Sequence, residues 1–425
     1  MPEKTETPVV PQTSWLKKLG PGLITGAADD DPSGIATYSQ AGAQFGFSML
    51  WTALLTYPLM VGIQVVSARI GRVSGHGLAT NIRKHYPAWL LYSVVSLLLI
   101  ANTINIAADV SAMGESLKLM VGGSAQIYSA GFGVLSLLLQ LFIPYRRYVR
   151  LLKWLTLSLL AYVATAFVVH VPWTQVVTAI VLPQFSLKAA YLTTVVAVFG
   201  TTISPYLFFW QASQEVEDQL ADPHSHPLVK APEQAPFQLN RIKIDTYIGM
   251  GFSNLVAFFI ILTTAVTLHT HGITDIETSS QAATALRPIA GEFAFMLFSA
   301  GIIGTGLLAI PVLAGSSAYA MAGAFKWKNS LERTPMQAGR FYGIIGISTL
   351  IGVLLGFTPI NPIKALYWSA VTNGVISVPI MAVMMMMAVR SEIMGRFVIS
   401  TRLQILGWLG TAVMLIVVLA MFITF

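Results

Sequence analysis

The sequence predicts an all-α membrane protein, and three observations support that prediction. Of its 425 residues, 55% are hydrophobic and only 10% are charged, whereas soluble domains carry about 25% charged residues. Apolar runs of about 20 residues, the length that crosses a bilayer as a helix, recur nearly from end to end. The polar segments between these runs are short. We therefore expect one transmembrane domain over residues 19–425, preceded by a disordered cytoplasmic tail over residues 1–18.

Eleven apolar stretches qualify as transmembrane helices by the window criterion. In chain order they cover residues 19–45, 48–69, 88–117, 126–144, 152–170, 190–214, 245–268, 291–323, 338–357, 362–389 and 403–424. The longest connector, residues 215–244, is rich in acids and proline, and we expect it to be a solvated cytoplasmic loop.

The basic residues are distributed unevenly over the predicted loops. With the N-terminus in the cytoplasm, all but four of the 25 Lys and Arg residues lie inside, the exceptions being Lys118, Lys188, Arg287 and Lys364. This asymmetry satisfies the positive-inside rule. We predict a plasma-membrane protein, in the inner membrane if bacterial, with an extracytoplasmic C-terminus. The net charge of +7 then reflects topology and contact with the lipid bilayer, and no nucleic-acid partner is expected. The oligomeric state stays open, and a monomer suffices.

Three consecutive acids lie in the middle of the first predicted span. Asp29, Asp30 and Asp31 directly precede Pro32, and Gly34 follows two residues later. Because Pro32 cannot donate a backbone hydrogen bond and Gly34 tolerates non-helical angles, the helix is expected to break beside the acids. Acids inside a membrane are costly and mark ion or substrate pathways. The break therefore predicts a cation site.

The sixth predicted span is interrupted in the same way by residues 200–206, which read GTTISPY. Pro32 and Pro205 each lie in the first span of a five-span block, and an odd number of spans inverts the second block. Interrupted helices at matching positions of inverted halves point to a transporter's midplane site. We predict a LeuT-like inverted repeat of five plus five helices, with discontinuous helices 1 and 6 and an eleventh helix. A simpler reading, in which each proline makes only a packing kink, stays open.

The predicted site offers only oxygen ligands. Backbone carbonyls at the ends of the first half-helices carry the negative end of the helix dipole. Together with the Asp31 carboxylate and the hydroxyls of Thr201 and Ser204, they suit a hard divalent ion such as Mg²⁺ or Mn²⁺. The ion is expected as a transported substrate, and no prosthetic group is expected. The sequence has no Cys, which excludes thiolate ligands.

Further polar residues in the spans have two readings each. Asn102, Asn105 and Asp109 share one face of the third span, where they either line an aqueous pathway or make interhelical hydrogen bonds. Asn373 in the tenth span offers either another oxygen or polar packing.

Asp29 and Asp30 are expected either to orient the metal ligands without binding the ion themselves or to line the vestibule of the site.

The two interrupted segments resemble those of the Nramp family of divalent-metal transporters, whose first span carries Asp-Pro-Gly-Asn and whose sixth carries Ala-x-x-Met-Pro-His. The resemblance covers nearly the whole chain. The resemblance implies that Asp31 matches the family's metal-binding aspartate and that Gly34 stands where the family has an asparagine ligand. In the sixth span it implies that Thr201 replaces the family's alanine, Ser204 its methionine and Tyr206 its histidine. In the third span Asp109 keeps the family's aspartate, whereas Ala112 replaces a glutamate.

These departures are similar to those of the Nramp-related magnesium transporter branch. Replacing the thioether with Ser204 removes a preference for softer metals, and the smaller side chains at Ser204 and Gly34 leave space for a partly hydrated ion. Nramps route protons through an acidic and histidine network, whereas Ala112 and Tyr206 do not titrate near neutral pH. The resemblance thus implies a transporter or facilitator of Mg²⁺ and Mn²⁺ without proton coupling.

Other functions remain open at this point. An ordinary proton-coupled Mn²⁺/Fe²⁺ symporter, a cation-coupled symporter for an organic solute and a channel would each use a similar architecture. An enzyme is not expected, since none of the seven His lies in a His-Glu-x-x-His pattern.

Overall fold

The computed structural model describes residues 21–143, 155–328, 330–331, 334–358 and 360–424. All regular secondary structure within these ranges is helical, as the sequence predicts. The tail predicted over residues 1–18 lies outside the described residues, and so does the start of the fifth predicted span, residues 152–154.

The α-helices are numbered in chain order within the described part of the chain. They are α1 (Pro21–Asp29), α2 (Pro32–Phe45), α3 (Leu50–Ser74), α4 (Leu78–His85), α5 (Ala88–Val121), α6 (Ala125–Phe142), α7 (Leu160–Val168), α8 (Trp173–Val181), α9 (Ala189–Thr202), α10 (Pro205–Ala221), α11 (Ala235–Thr267), α12 (Ser279–Thr284), α13 (Arg287–Ala290), α14 (Ala294–Phe325), α15 (Gly339–Leu355), α16 (Pro362–Ala388), α17 (Ser391–Met394) and α18 (Thr401–Thr424).

Length and hydropathy identify eight helical runs in the described residues that could cross a membrane. A ninth forms if the pair Leu157–Val168 and Trp173–Val181, bent by 115°, is one span, and Gly339–Leu355 is a shorter apolar helix. One run, Pro32–Ser74, contains both α2 and α3, which are separated by a turn at Gly46–Met49. Within the described residues, each of the eleven predicted spans overlaps at least one helix.

Both predicted helix breaks are confirmed. The first falls between α1 and α2, at Asp30 and Asp31, and the second between α9 and α10, at Ile203 and Ser204. In each case a proline opens the second half-helix, where its missing N–H costs nothing because the first turn has no intrahelical acceptor for it.

The two interrupted helices lie at the centre of the bundle. The half-helix α1 packs on α11, α10 and α14, while α2 packs on α11, α16 and α9. Two glycine contacts bring backbones together. A Cβ atom on Gly26 would lie 2.2 Å from the carbonyl oxygen of Gly249, and one on Gly200 would lie 2.1 Å from that of Ala370. Small residues are what allow helices to approach this closely in a membrane.

The prediction of a solvated connector over residues 215–244 is confirmed for the loop between Ala221 and Ala235, which is mostly exposed or half-buried, and is wrong for the two ends of that range. Helix α10 continues to Ala221 and α11 begins at Ala235. Glu215 is fully buried, and its carboxylate pairs with the guanidinium of Arg241. Pairing of opposite charges on neighbouring helices lets both helices extend past the apolar stretch with their charges turned inward.

Candidate cation site

The carboxylate of Asp31 lies at the first helix break and is 1% exposed. Asp31 is the N-cap residue of α2, and its Oδ1 accepts hydrogen bonds from the Ser33 hydroxyl at 2.7 Å and from the Gly34 backbone N–H at 2.8 Å. An N-cap acid satisfies amides that a helix leaves free and interacts favourably with the helix dipole. The local sequence therefore fixes the orientation of this carboxylate.

The second oxygen of Asp31 faces two other helices. Its Oδ2 accepts a hydrogen bond from the Asn105 side-chain amide of α5 at 3.0 Å and from the Tyr206 hydroxyl of α10 at 3.4 Å. The same hydroxyl shares its single proton with the carbonyl oxygen of Ala28, at the end of α1, which lies closer at 3.1 Å. Tyr206 thus joins the two broken helices, and Asn105 contacts the candidate ligand directly.

Across the break, α9 presents Thr201 to Gly34. A Cβ atom on Gly34 would lie 3.2 Å from the Thr201 hydroxyl oxygen. That hydroxyl is buried and has no hydrogen-bond partner among the described residues. The Ser204 hydroxyl, by contrast, shares its one proton between the carbonyl oxygens of Gly200 and Thr201, both at 2.8 Å, and its own oxygen stays free to accept or to ligate.

Asp29 and Asp30 are held by a residue that the sequence did not identify. The Ser253 hydroxyl of α11 lies 2.5 Å from Asp29 Oδ2 and 3.0 Å from Asp30 Oδ1. Both carboxylates therefore contact α11, and these contacts hold the end of α1 beside the break against that helix. Within the described residues no group of three or more His, Cys, Asp or Glu side chains could hold a metal, so any metal would be bound with hydroxyl, amide, carbonyl or water oxygens beside Asp31.

Several buried polar atoms near the breaks have no hydrogen-bond partner in the described part of the chain. They include both carboxylate oxygens of Asp109, the Oδ1 of Asn105 and both polar side-chain atoms of Asn373. Such atoms are rare in folded proteins and require an explanation, for example a bound water or ion.

Two neighbouring positions act as structural supports. Asn102 donates to the carbonyl oxygen of Leu313 at 2.9 Å and to two serine hydroxyls of α14, so for this residue the interhelical reading holds. Ser377, one turn after Asn373, donates to the carbonyl oxygen of Ile203 at 2.7 Å. Sequence reasoning did not identify Ser377, because its acceptor becomes available only once α9 is broken.

The site is closed on both sides. Each of the three acids is at most 2% exposed. A cavity of about 530 Å³ lies beyond α2 on the predicted outer face, and Gln40 and Thr193 are among its lining residues. Gln40 lies six residues, or about 9 Å of helix, from Gly34. Gln40 also accepts a hydrogen bond from the Ile276 backbone N–H at 2.9 Å, which holds the segment before α12 against α2.

The two broken helices are what the predicted LeuT-like fold requires, a fold class that includes many secondary transporters. A family model for natural resistance-associated macrophage protein-like (Nramp) proteins matches residues 22–424, and the chain belongs to this family. The predicted family is therefore confirmed.

Known proteins resemble the chain over most of its length. A divalent metal cation transporter, MntH, from Klebsiella pneumoniae (strain 342) is 24% identical over 407 residues, which cover 94% of this chain and 92% of the relative. The crystal structure of the Eremococcus coleocola manganese transporter, bound to an aromatic bis-isothiourea compound, superposes with a TM-score of 0.74 at 16% identity, covering 98% of this chain and 88% of that one.

More distant structures share the fold. The crystal structure of MhsT in complex with L-phenylalanine gives a TM-score of 0.62 at 12% identity, covering 95% of this chain and 98% of that one. The predicted LeuT-like fold is confirmed, and the chain is a multi-pass membrane protein. The magnesium branch, the site residues and the orientation of the termini stay predictions.

Proposed function

We propose that this protein transports divalent metal ions, Mg²⁺ and Mn²⁺, by alternating access around a site formed by Asp31, Gly34, Thr201 and Ser204. The metal relies on one carboxylate for charge and on hydroxyl, carbonyl and water oxygens for the rest of its coordination. This composition favours a hard ion over a soft one.

A single observation carries the proposal: the Thr201 hydroxyl is buried beside Gly34, across the break from the Asp31 carboxylate, and finds no hydrogen-bond partner in the part of the chain that the structure describes. Burying a hydroxyl without a partner is unfavourable. A hydrated cation would provide that partner, because its waters donate hydrogen bonds to the hydroxyl oxygen while the ion attracts Asp31. The weak 3.4 Å contact between Tyr206 and Asp31 is the one that a metal would displace most easily.

Selectivity follows from Ser204. A methionine thioether at this position would favour softer transition metals, whereas a serine hydroxyl does not distinguish them from Mg²⁺. Mn²⁺ is included for a second reason, since the relatives are named as a divalent metal cation transporter and a manganese transporter. Because these relatives are transporters, we propose no enzymatic activity.

Transport is proposed to be independent of protons. Tyr206 occupies the position where the family's histidine is expected, and its hydroxyl bridges Ala28 and Asp31. Ala112 carries no ionisable group. The metal gradient and the membrane potential would then drive the flux.

An organic-solute symporter is disfavoured by the capping of α2. In transporters of this architecture, the N-terminus of a half-helix binds a substrate carboxylate. Here the carboxylate of Asp31 already accepts the Gly34 N–H at that end of α2, and Asp29 and Asp30 lie next to it. A second carboxylate would meet repulsion instead of free amides.

The proposal is tested by uptake of Mg²⁺, Mn²⁺ and Ca²⁺ into liposomes that contain the purified protein. We expect Mg²⁺ and Mn²⁺ uptake, little Ca²⁺ uptake, and loss of all uptake in Asp31→Ala. Asp222→Ala, which removes an acid from an exposed loop, is the matched control. Undiminished uptake in Asp31→Ala rejects the site, and Mn²⁺-dependent acidification of the lumen rejects proton independence.

A second pair of variants tests the selectivity argument. Ser204→Met should raise the Mn²⁺ preference over Mg²⁺ by about tenfold, equivalent to about 1.4 kcal/mol, because it introduces a thioether. Ser204→Ala removes the hydroxyl without adding sulfur. If Ser204→Ala raised the preference for Mn²⁺ over Mg²⁺ as much as Ser204→Met does, the thioether would not be the cause of that preference.

A further inference from the structure

Three cationic side chains from three helices meet at one cavity that shares no residue with the candidate cation site. The cavity, of about 550 Å³, lies between α3, α11 and the start of α18, and its lining includes Arg69, Lys243 and Arg402. It opens at the end of the bundle that the charge distribution predicts to be cytoplasmic. None of the described residues that line it is acidic.

The three cations lack anionic partners within the described residues, where none of them takes part in an ion pair. Arg69 is half-buried; its guanidinium makes one long hydrogen bond, 3.4 Å, to the carbonyl oxygen of Phe397, and its Nε is buried without a partner. The Lys243 ammonium lies 5.8 Å from the ring centroid of Tyr247. A partly buried cation such as Arg69 is costly unless it is paired, and the exposed side chains of Lys243 and Arg402 add two further positive charges, so this cavity favours an anion.

The wall of the cavity is apolar on the side that faces the membrane interior. Val61, Val65, Leu403 and Leu406 line it. Val61 precedes Arg69 by eight residues, which corresponds to about 12 Å along the helix. A positive end followed by an apolar groove of this length matches a lipid headgroup and the first part of its acyl chain. A free phosphate ion would use the cations and leave the groove empty.

We propose that this cavity binds an anionic phospholipid, with its phosphate at Arg69, Lys243 and Arg402 and an acyl chain along Val61, Val65 and Leu406. Basic pockets between transmembrane helices at the cytoplasmic face are suited to such headgroups. The lipid would join α3, α11 and α18 at their cytoplasmic ends.

The binding test uses the purified full-length protein after delipidation, with native mass spectrometry and thermal unfolding as the two measurements. The probes are phosphatidylglycerol, phosphatidylcholine and inorganic phosphate. Phosphatidylglycerol should remain bound and raise the melting temperature, while the other two should do neither. Equal effects of the two lipids would overturn the role of charge, and an effect of inorganic phosphate equal to that of phosphatidylglycerol would overturn the assignment to a lipid.

Charge-removing variants locate the site. Arg402→Gln and Lys243→Gln change exposed side chains and should each weaken phosphatidylglycerol binding about fivefold, the effect of one cation near an anionic headgroup. Lys230→Gln removes the same charge from an exposed loop and should leave binding unchanged. Arg69→Gln should weaken binding at least as much. Unchanged binding in all three cavity variants, or equal weakening by Lys230→Gln, would overturn the proposal.

Discussion

The carboxylate of Asp245 caps the first half-helix from the opposite half of the protein: its Oδ2 accepts a hydrogen bond from the Gly22 backbone N–H at 2.7 Å. The same oxygen lies 4.0 Å from the Arg241 guanidinium, which pairs with Glu215 of α10. A carboxylate at a helix N-terminus is stabilising. The start of α1 is therefore linked through α11 to α10 at the predicted cytoplasmic end of the site.

Removing the charge of Asp245 should weaken the contact between the start of α1 and α11. In Asp245→Asn we expect α1 to leave α11 more often, because the amide caps a helix N-terminus without the favourable charge. The chain has no Cys, so a single cysteine in Thr25→Cys, at a fully buried position of α1, can report the opening. Its modification by a thiol reagent should become several-fold faster in Asp245→Asn and stay unchanged in Asp222→Asn. Equal modification rates would show that the cap does not hold α1.

Ser253 should stabilise the folded protein through Asp29 and Asp30. Ser253→Ala leaves these two carboxylates without that donor, and an unsatisfied buried polar group costs about 1–3 kcal/mol. We expect a lower melting temperature in detergent, with partial recovery in Ser253→Thr, which restores the hydroxyl. Thr263→Ala in the same helix should have a smaller effect, because among the described residues the Thr263 hydroxyl bonds only the carbonyl oxygen of Tyr162. A larger effect of Thr263→Ala would contradict the role assigned to Ser253.

Loss of the hydroxyl should impair transport at Thr201 and stability at the neighbouring Thr202. Thr201 has no hydrogen-bond partner in the described residues, whereas Thr202 bonds the Tyr38 hydroxyl at 2.9 Å and the Val198 carbonyl at 2.7 Å. Thr201→Val should raise the KM for Mg²⁺ about tenfold, or about 1.4 kcal/mol, with an unchanged melting temperature. Thr202→Val should lower the melting temperature. A normal KM in Thr201→Val would remove Thr201 from the site.

Gly34 should be sensitive to the addition of one methyl group. In Gly34→Ala the new Cβ would lie 3.2 Å from the Thr201 hydroxyl and 3.4 Å from the Tyr38 ring. The narrower space should reduce Mg²⁺ uptake more than Mn²⁺ uptake, because Mg²⁺ gives up its waters reluctantly. Gly131→Ala, where the methyl group meets no atom within 4 Å, is the control in the uptake assay. Equal reductions for both ions would contradict transport of a hydrated ion.

The sequence predicted the features that local chemistry determines. Pro32 and Pro205 lack an N–H and lie beside residues that tolerate a break, so both interruptions could be placed to within a residue or two. The orientation of Asp31 was also accessible in principle, since an aspartate before a proline is a typical N-cap.

What the sequence could not predict depends on contacts between distant segments. Ser253 is 223 residues from Asp30, and nothing in the local pattern of α11 indicates which acids it contacts. The two ends of the connector were mispredicted for the same reason, because Glu215 can be buried only when Arg241 of the next helix pairs with it.

Helix α11 contacts α1 at three evenly spaced positions: Asp245 at the start of α1, Gly249 at Gly26, and Ser253 at Asp29. Their spacing of four residues places them on one face of α11, and α1 is a short rod of nine residues. Because so short a helix moves as a rigid body, a tilt of α1 at one end also displaces its other end. We therefore expect the contact between Asp245 and the start of α1 and the contact between Ser253 and Asp29 to break in a single step. Water from the cytoplasm would then reach the acids only when the surroundings of the bound ion also change.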